Sequence, residues 1–250
     1  MQTAWTRVVA VALGLVLAWA AHAQAIDPVR IGAEDDWAPF SSVHQGEPQG
    51  MAVELVQAIF DEAGIAIELV PLPYARCMDE ARRGRLAGCF DTLPDAQLRR
   101  DYLFHAKPLF TDELWILGRS SSPAAQLTVR SLEGRQVLVT HGYTYGDVFE
   151  SNPRIARTVA PHDSNALRML VAERAEFAVL YRRVTQHLLR TVAKDLQGKV
   201  KPVGKLDDAA LYLSFSRQYP DVQNLVQRFD AAHARLRKNG VLQKIEKRWN

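Results

Sequence analysis

The feature that most constrains the fold is an order of segments that occurs twice. Short apolar runs alternate with stretches of helical periodicity at residues 29–90 and again at 136–180. In the first set, Val29-Arg30-Ile31-Gly32 reads as a strand. Leu55, Val56, Ile59, Phe60 and Ala63 then fall at helical spacing, and Gly64 supplies a C-terminal stop. Residues 65–72 read as a strand closed by Pro71 and Pro73. A short helix over 74–83 and a third strand over 86–90 follow. This β-α-β-α-β order predicts a parallel sheet with helices packed on its faces.

The second set opens with "QVLVT", residues 136–140, and continues into the loop "HGYTYG", residues 141–146, with a helix starting near Asp147. Ser164 is placed to cap a helix carrying Leu167, Leu170 and Val171, and "EFAVL", residues 176–180, is a further buried strand. In the tail, Val222, Leu225, Val226, Phe229, Ala232 and Leu236 share one helical face, and Asn239-Gly240 breaks it before a last turn. No Ser/Gly-rich linker separates the two units. The joining segments, 110–117 and 202–213, are themselves β-like. Two crossings imply that the chain enters a second lobe and returns to the first, leaving a cleft at a hinge. Clefts at the carboxyl ends of such strands are preferred ligand sites.

The N-terminus carries one charge, Arg7, then an apolar run of roughly a dozen residues, too short to span a bilayer as a helix. Ala21-His22-Ala23-Gln24-Ala25 offers small residues at the positions a signal peptidase reads. Residues 1–25 are therefore expected to be a cleaved signal peptide and the mature chain periplasmic. Its removal takes Arg7 and no acid, so the net charge falls from +3 to +2. That balance argues against nucleic-acid and membrane-surface partners. Two cysteines exist, Cys77 and Cys89. In an oxidising compartment a disulfide is the leading reading and two buried thiols the alternative. No histidine lies at metal-ligand spacing from either, so a metal site is not expected; no cofactor is expected either.

Several motifs, taken in order, resemble one family. Val29-Arg30-Ile31-Gly32 is followed by Asp36-Trp37-Ala38-Pro39-Phe40, and Gly50-Met51-Ala52-Val53-Glu54-Leu55 opens the first helix. "LPYARCMDEARRGRLAG" and "KNGVLQKIEKRW", residues 238–249, complete the set. Together these resemble the bacterial extracellular solute-binding proteins of family 3, the two-lobed receptors of ABC importers for polar amino acids. The resemblance implies an α/β, two-lobed periplasmic-binding-protein-like (type II) fold. Each lobe is then a mainly parallel sheet flanked by helices, with the ligand cleft at the hinge. Lobe 1 would comprise residues 26–112 plus 208–250, and lobe 2 residues 113–207, in a monomer that delivers its ligand to a membrane permease.

The resemblance also assigns site residues. Counting forward from Gly84 and back from Pro108 brings Arg99 to the family's carboxylate-binding arginine, with Arg100 its solvated neighbour. A guanidinium fork matches a carboxylate in bidentate geometry and stays charged at any relevant pH. Trp37 fits an aromatic platform, Tyr74 a second wall, Asp91 and Thr92 the loop beside the carboxylate, and Thr144 a second-lobe contact. The family's aspartate for the ligand's α-ammonium falls at Tyr181, which carries no charge. Asp91 or Asp163 would have to supply that carboxylate from another direction. If neither does, a carboxylate ligand without an ammonium group is expected. An enzyme on the same fold, dehydratase-like, would draw its acid or base from Asp91, Asp163 or Glu34. No G-x-S-x-G elbow, Cys/His pairing or metal motif supports that alternative. A receptor serving a sensor or redox system would keep the same cleft.

Overall fold

The apolar runs become parallel strands, and the amphipathic stretches become the helices between them. The computed structural model describes residues 27–249, so the expected leader, residues 1–25, lies outside the described residues. In chain order the strands are β1 (Val29–Glu34), β2 (Asp36–Trp37), β3 (Ser41–His44), β4 (Glu47–Gln49), β5 (Ile67–Leu72) and β6 (Gly88–Thr92). They continue with β7 (Tyr102–Phe104), β8 (Phe110–Arg119), β9 (Gln136–Thr140), β10 (Ala156–Ala160), β11 (Phe177–Tyr181) and β12 (Val200–Ser216). The helices are α1 (Met51–Glu62), α2 (Tyr74–Arg82), α3 (Ala96–Asp101), α4 (Asp147–Glu150), α5 (Asp163–Val171), α6 (Arg182–Arg190), α7 (Val222–Lys238) and α8 (Val241–Arg248).

One sheet runs through the molecule in the order β10-β9-β11-β8-β12-β6-β1-β5, with β7 added on β12. At one end β1 pairs in parallel with β5 and β6; at the other, β9 pairs in parallel with β10 and β11. The two halves meet on the antiparallel pair β8–β12, which runs from Val200–Arg119 to Leu211–Phe110 with register shifts at Pro202/Gly204 and Lys205/Asp207. Beyond Leu211, β12 leaves β8 and pairs with β6 and β7. These two long strands are the crossings between lobes. Every residue of β11 is buried, which suits a parallel strand covered on both faces. Pro71, with no N–H to donate, sits on the edge strand β5. The tail returns to lobe 1, where α7 and α8 pack on α1 and Phe60 meets Phe229 at 5.2 Å.

Two local readings change. The segment between the first strand and the first helix, to which the sequence assigns no strand, forms the small antiparallel sheet β2-β3-β4. Helix α5 begins one residue earlier than Ser164, because Asp163 turns inward to accept a hydrogen bond from the Thr140 hydroxyl. Among the described residues no helix is long and apolar enough to cross a membrane.

Cys77 of α2 and Cys89 of β6 form a disulfide with Cα atoms 5.9 Å apart. It lies inside a separate apolar cluster with Tyr74, Met78, Ala81, Leu86 and Tyr102, directly beneath the cleft. Gly32 of β1 makes room for it: a Cβ there would stand 2.2 Å from the Cys77 sulfur. The bridge spans 12 positions of sequence, a loop for which closure entropy is worth about 3 kcal/mol. Urea denaturation of a Cys77→Ala/Cys89→Ala double variant should show a loss of about that size. An unchanged midpoint and slope would remove the bridge from the account of stability.

Candidate functional site

The carboxyl ends of the parallel strands from both lobes converge on one cavity. From lobe 1 come Glu34 at the end of β1, Trp37 of β2, Tyr74 at the start of α2, Asp91 near the end of β6, and Leu93. From lobe 2 come Tyr143 and Thr144, in the loop after β9, and Tyr181 at the end of β11. The space among them, part of it open to solvent, comes to about 200 Å³. Trp37 meets Tyr181 edge-on at 4.9 Å and Tyr143 at 6.1 Å, and Tyr74 meets Tyr143 at 5.5 Å. Four rings from two lobes thus form the walls.

The lobes are closed on each other. The Tyr143 hydroxyl donates to Glu34 Oε1 inside the cavity. The Thr144 hydroxyl donates to the Leu93 carbonyl at 2.7 Å, and Asp147 accepts from the Ala96 N–H at 2.7 Å. At the rim His162 Nδ1 lies 3.5 Å from Asp36. Gly142 (φ +79°) touches lobe 1 where only a glycine fits, since a Cβ there would stand 2.8 Å from Ala75 Cβ.

Asp91 is the unusual residue of the site. Between Tyr212↔Thr92 and Ser214↔Cys89, two residues of β6 oppose one of β12, which is a β-bulge at Phe90-Asp91. Asp91 has φ 68°, a left-handed conformation that aspartate tolerates better than most residues. Bulges of this kind re-aim a side chain next to a site. The carboxylate is 5% exposed, and neither oxygen has a hydrogen-bond partner. No lysine or arginine lines the cavity.

Arg99 is not brought to this cavity. It stands exposed on α3, its guanidinium 5.9 Å from the centre of the Phe104 ring and its carbonyl accepting from Arg217. The cap explains the orientation. Asp95 accepts from the Leu98 N–H at 2.7 Å and so sets the helix phase. Leu98 then turns inward onto the disulfide cluster, and Arg99, about 100° further round, turns out. Neither Leu98 nor Arg99 lines the cavity. Arg100 is exposed as expected and bonds Gln97. Thr92 lies behind the wall: it accepts from the Tyr74 hydroxyl at 3.2 Å and bonds Ser214 at 3.3 Å, holding the Tyr74 ring in place. Asp163 lines the outer cleft with Glu34, His141 and His162, beside the cavity rather than in it. Tyr143 and Leu93 went unread in the sequence. Position 143, in the loop that carries Thr144, was the available signal.

With the geometry in place, the comparisons with known proteins can be stated. The model of the bacterial extracellular solute-binding proteins, family 3, matches residues 29–250. The chain belongs to that family. The arginine-binding extracellular protein ArtP of Bacillus subtilis is 22% identical over 229 residues, 88% of this chain and 84% of ArtP. A histidine kinase sensor domain with similarity to periplasmic binding proteins has TM-score 0.76 at 22% identity, covering 89% of this chain and 96% of its own. An ancestral arginine-binding protein bound to arginine has TM-score 0.73 at 17% identity, covering 90% and 98%. These likenesses establish the two-lobed α/β fold. Family 3 is a family of extracellular binding proteins, so the cleft captures a solute rather than turning one over, and the dehydratase-like alternative falls away.

The acids of this family 3 cleft are electrostatically strained. Burial pushes Asp91 well above the usual carboxylate range. Burial does the same to Glu34, with Asp91, Asp163 and Asp35 adding repulsion and the Tyr143 hydrogen bond opposing it. Asp163 is pushed up to about 6 by burial and Asp36, against the Thr140 hydrogen bond, the Trp37 indole and His162. Each group binds its proton more tightly folded than unfolded. Its contribution to stability is therefore complete below the unfolded value near 4 and is lost as pH rises through the folded one. These acids should contribute a fall in the melting temperature of ligand-free protein between pH 4 and pH 8, against the opposite trend set by His105 and His233, which burial holds neutral. Asp91→Asn and Asp163→Asn should each flatten the fall, and a profile unchanged in both would contradict this electrostatic account. Arg99→Ala should leave ligand affinity within about twofold, as for other exposed surface changes; calorimetric loss of binding would return the arginine to the site.

Proposed function

We propose that the mature chain is a periplasmic receptor that captures a small polar solute between its lobes and delivers it to the membrane permease of an ABC importer. The observation that carries this reading is the cavity at the strand ends, lined from both lobes and bridged by direct interlobe hydrogen bonds. A permease can recognise a surface that exists only when the lobes are closed. A solute that touches both lobes shifts the population toward that surface by its differential affinity for the closed form. Glu34, Trp37, Tyr74, Asp91, Tyr143, Thr144 and Tyr181 are the proposed contacts, with Thr92 positioning Tyr74 and Asp163 flanking the entrance. ArtP and the ancestral protein are named for arginine, a cationic amino acid, and the acidic lining here suits a solute with a positive group.

The same closure could serve a sensor, a reading favoured by the similarity to a histidine kinase sensor domain. The partner alone differs. Co-purification with tagged candidate partners separates the two: retention of a permease supports import, and retention of a kinase alone replaces it.

Native mass spectrometry of freshly purified protein should reveal a bound small molecule. X-ray scattering should show the unfolded-and-refolded, solute-free protein contracting when that molecule is added back. Gly142→Ala would press a methyl group on Ala75 whenever the lobes close. It should weaken that solute's binding at least about tenfold without touching it, the equivalent of some 1.4 kcal/mol. Full affinity in this variant, or no contraction in the wild type, would count against capture by closure.

A further inference from the structure

We infer that the solute is a small organic cation without a carboxylate, an alkylammonium or quaternary ammonium compound, with Asp91 as its counter-ion and Trp37, Tyr74, Tyr143 and Tyr181 as its cage. The inference rests on the receptor reading above and narrows it to a chemical class.

The first observation is Asp91 itself. Its carboxylate lines the cavity, is 5% exposed, and has no hydrogen-bond partner on either oxygen. Buried carboxylates are otherwise paired or hydrogen-bonded in folded proteins, because an isolated buried charge is costly. The same chain shows the ordinary treatment at the hinge. There Asp112, also buried, accepts the Arg183 N–H at 3.1 Å and lies 3.6 Å from the Arg182 guanidinium. The bulge and left-handed backbone at Asp91 turn an unpaired carboxylate into the cavity when a regular strand would not.

The second observation is the wall. Rings supplied by both lobes surround the same space, with edge contacts at 4.9, 5.5 and 6.1 Å. Their negative faces attract a cation, and such cages recognise alkylammonium groups. Tyr74 and Tyr143 spend their hydroxyls on Thr92 and Glu34, which leaves the rings as what they offer.

The third observation excludes an anion. No arginine or lysine lines the cavity, and Arg99 faces solvent. The positive end of helix α5 is already met by the Asp163 carboxylate in its own first turn. A ligand carboxylate would enter beside Glu34 and Asp91 with no basic side chain in the lining to meet it, and would add a third buried acid to two that burial already disfavours as charges. An α-amino acid satisfies only half of this cleft.

Matched pairs that differ by a carboxylate give the test: choline against glycine betaine, ethanolamine against glycine, cadaverine against lysine, and agmatine against arginine. Calorimetry on refolded, solute-free protein should find at least one cation bound at least 30-fold more tightly than its carboxylated counterpart. Asp91→Asn suits the left-handed backbone, because asparagine shares aspartate's tolerance of it. That variant should lose at least 30-fold in affinity for the cation, within the range for an unpaired buried charge. If it does not fold, the wild type decides, since affinity for the cation should rise at least tenfold from pH 5 to pH 8 as protons cease to compete.

A carboxylated member that binds as tightly as its cation overturns the inference, as does cation binding that is indifferent to both Asp91→Asn and pH. If no cation binds while a neutral or anionic co-purified molecule still closes the lobes, the inference falls and the receptor reading stands. If nothing closes them, both fall.

Discussion

Closing two lobes over carboxylates that have no basic partner is the constraint on which the rest of this structure depends. Glu34 and Asp91 stand on neighbouring strands, β1 and β6, and both are about 5% exposed once lobe 2 covers them. The surrounding rings exclude water, so each charge loses its hydration and gains little from the protein. The acids respond by holding their protons, and a cation is the other way to neutralise them. The floor is correspondingly rigid. The disulfide ties α2 to β6, Thr92 links Tyr74 to β12 through Ser214, and the Tyr102 hydroxyl donates to the Met78 carbonyl at 2.7 Å. A floor that yielded would let water reach Asp91 and dissipate the strain.

The hinge handles the same problem differently. β8 and β12 cross between the lobes as a paired ribbon, and Asp112 lies on that ribbon in the shadow of α6. Arg182 and Arg183 stand against it at 3.6 and 3.8 Å, and the Arg183 guanidinium also lies 4.5 Å over the Phe40 ring of lobe 1. Phe40 stacks on Phe110 of β8 at 4.6 Å. Charge compensation and ring stacking therefore gather where the chain must bend without separating. The cleft a few residues away is left uncompensated. That contrast within one chain is what makes Asp91 informative.

Much of this fold was legible because it is periodic. The strands β1, β6, β9 and β11 and the helices α1, α5 and α7 follow the alternation of apolar runs and helical faces, and the family motifs add their order. The small sheet β2-β3-β4 was not legible, since its residues are mostly polar and its strands are two to four residues long. Of the residues singled out in the sequence, Glu34, Trp37, Tyr74, Asp91, Thr144 and Tyr181 line one cavity. The sign of that cavity was not legible. Linear counting from Gly84 and Pro108 brought Arg99 into register, but a helix presents side chains by phase, and the phase of α3 is set locally by Asp95. One residue of offset exchanges an arginine for Leu98. The bulge at Asp91 was equally hidden, because it is a property of pairing with β12, more than a hundred residues away in the chain. The missing arginine and the unpaired aspartate are the two features on which the proposed preference for a cation rests.

Glu34 and Asp91 then divide the work of the cleft. The Tyr143 hydroxyl already occupies Glu34, and that bond, with Thr144 to Leu93 and Asp147 to Ala96, belongs to the closed form whether or not a solute is present. These contacts lower the cost of closure but confer no selectivity, because a ligand equally content in both forms shifts nothing. Selectivity has to come from a group left unsatisfied when the lobes shut, and in the proposed reading that group is Asp91. A cation that satisfies it is bound more tightly closed than open, since only closure brings the Tyr143 and Tyr181 rings of lobe 2 around it. The latch sets how readily the cleft shuts, and the bulged aspartate sets what it shuts upon.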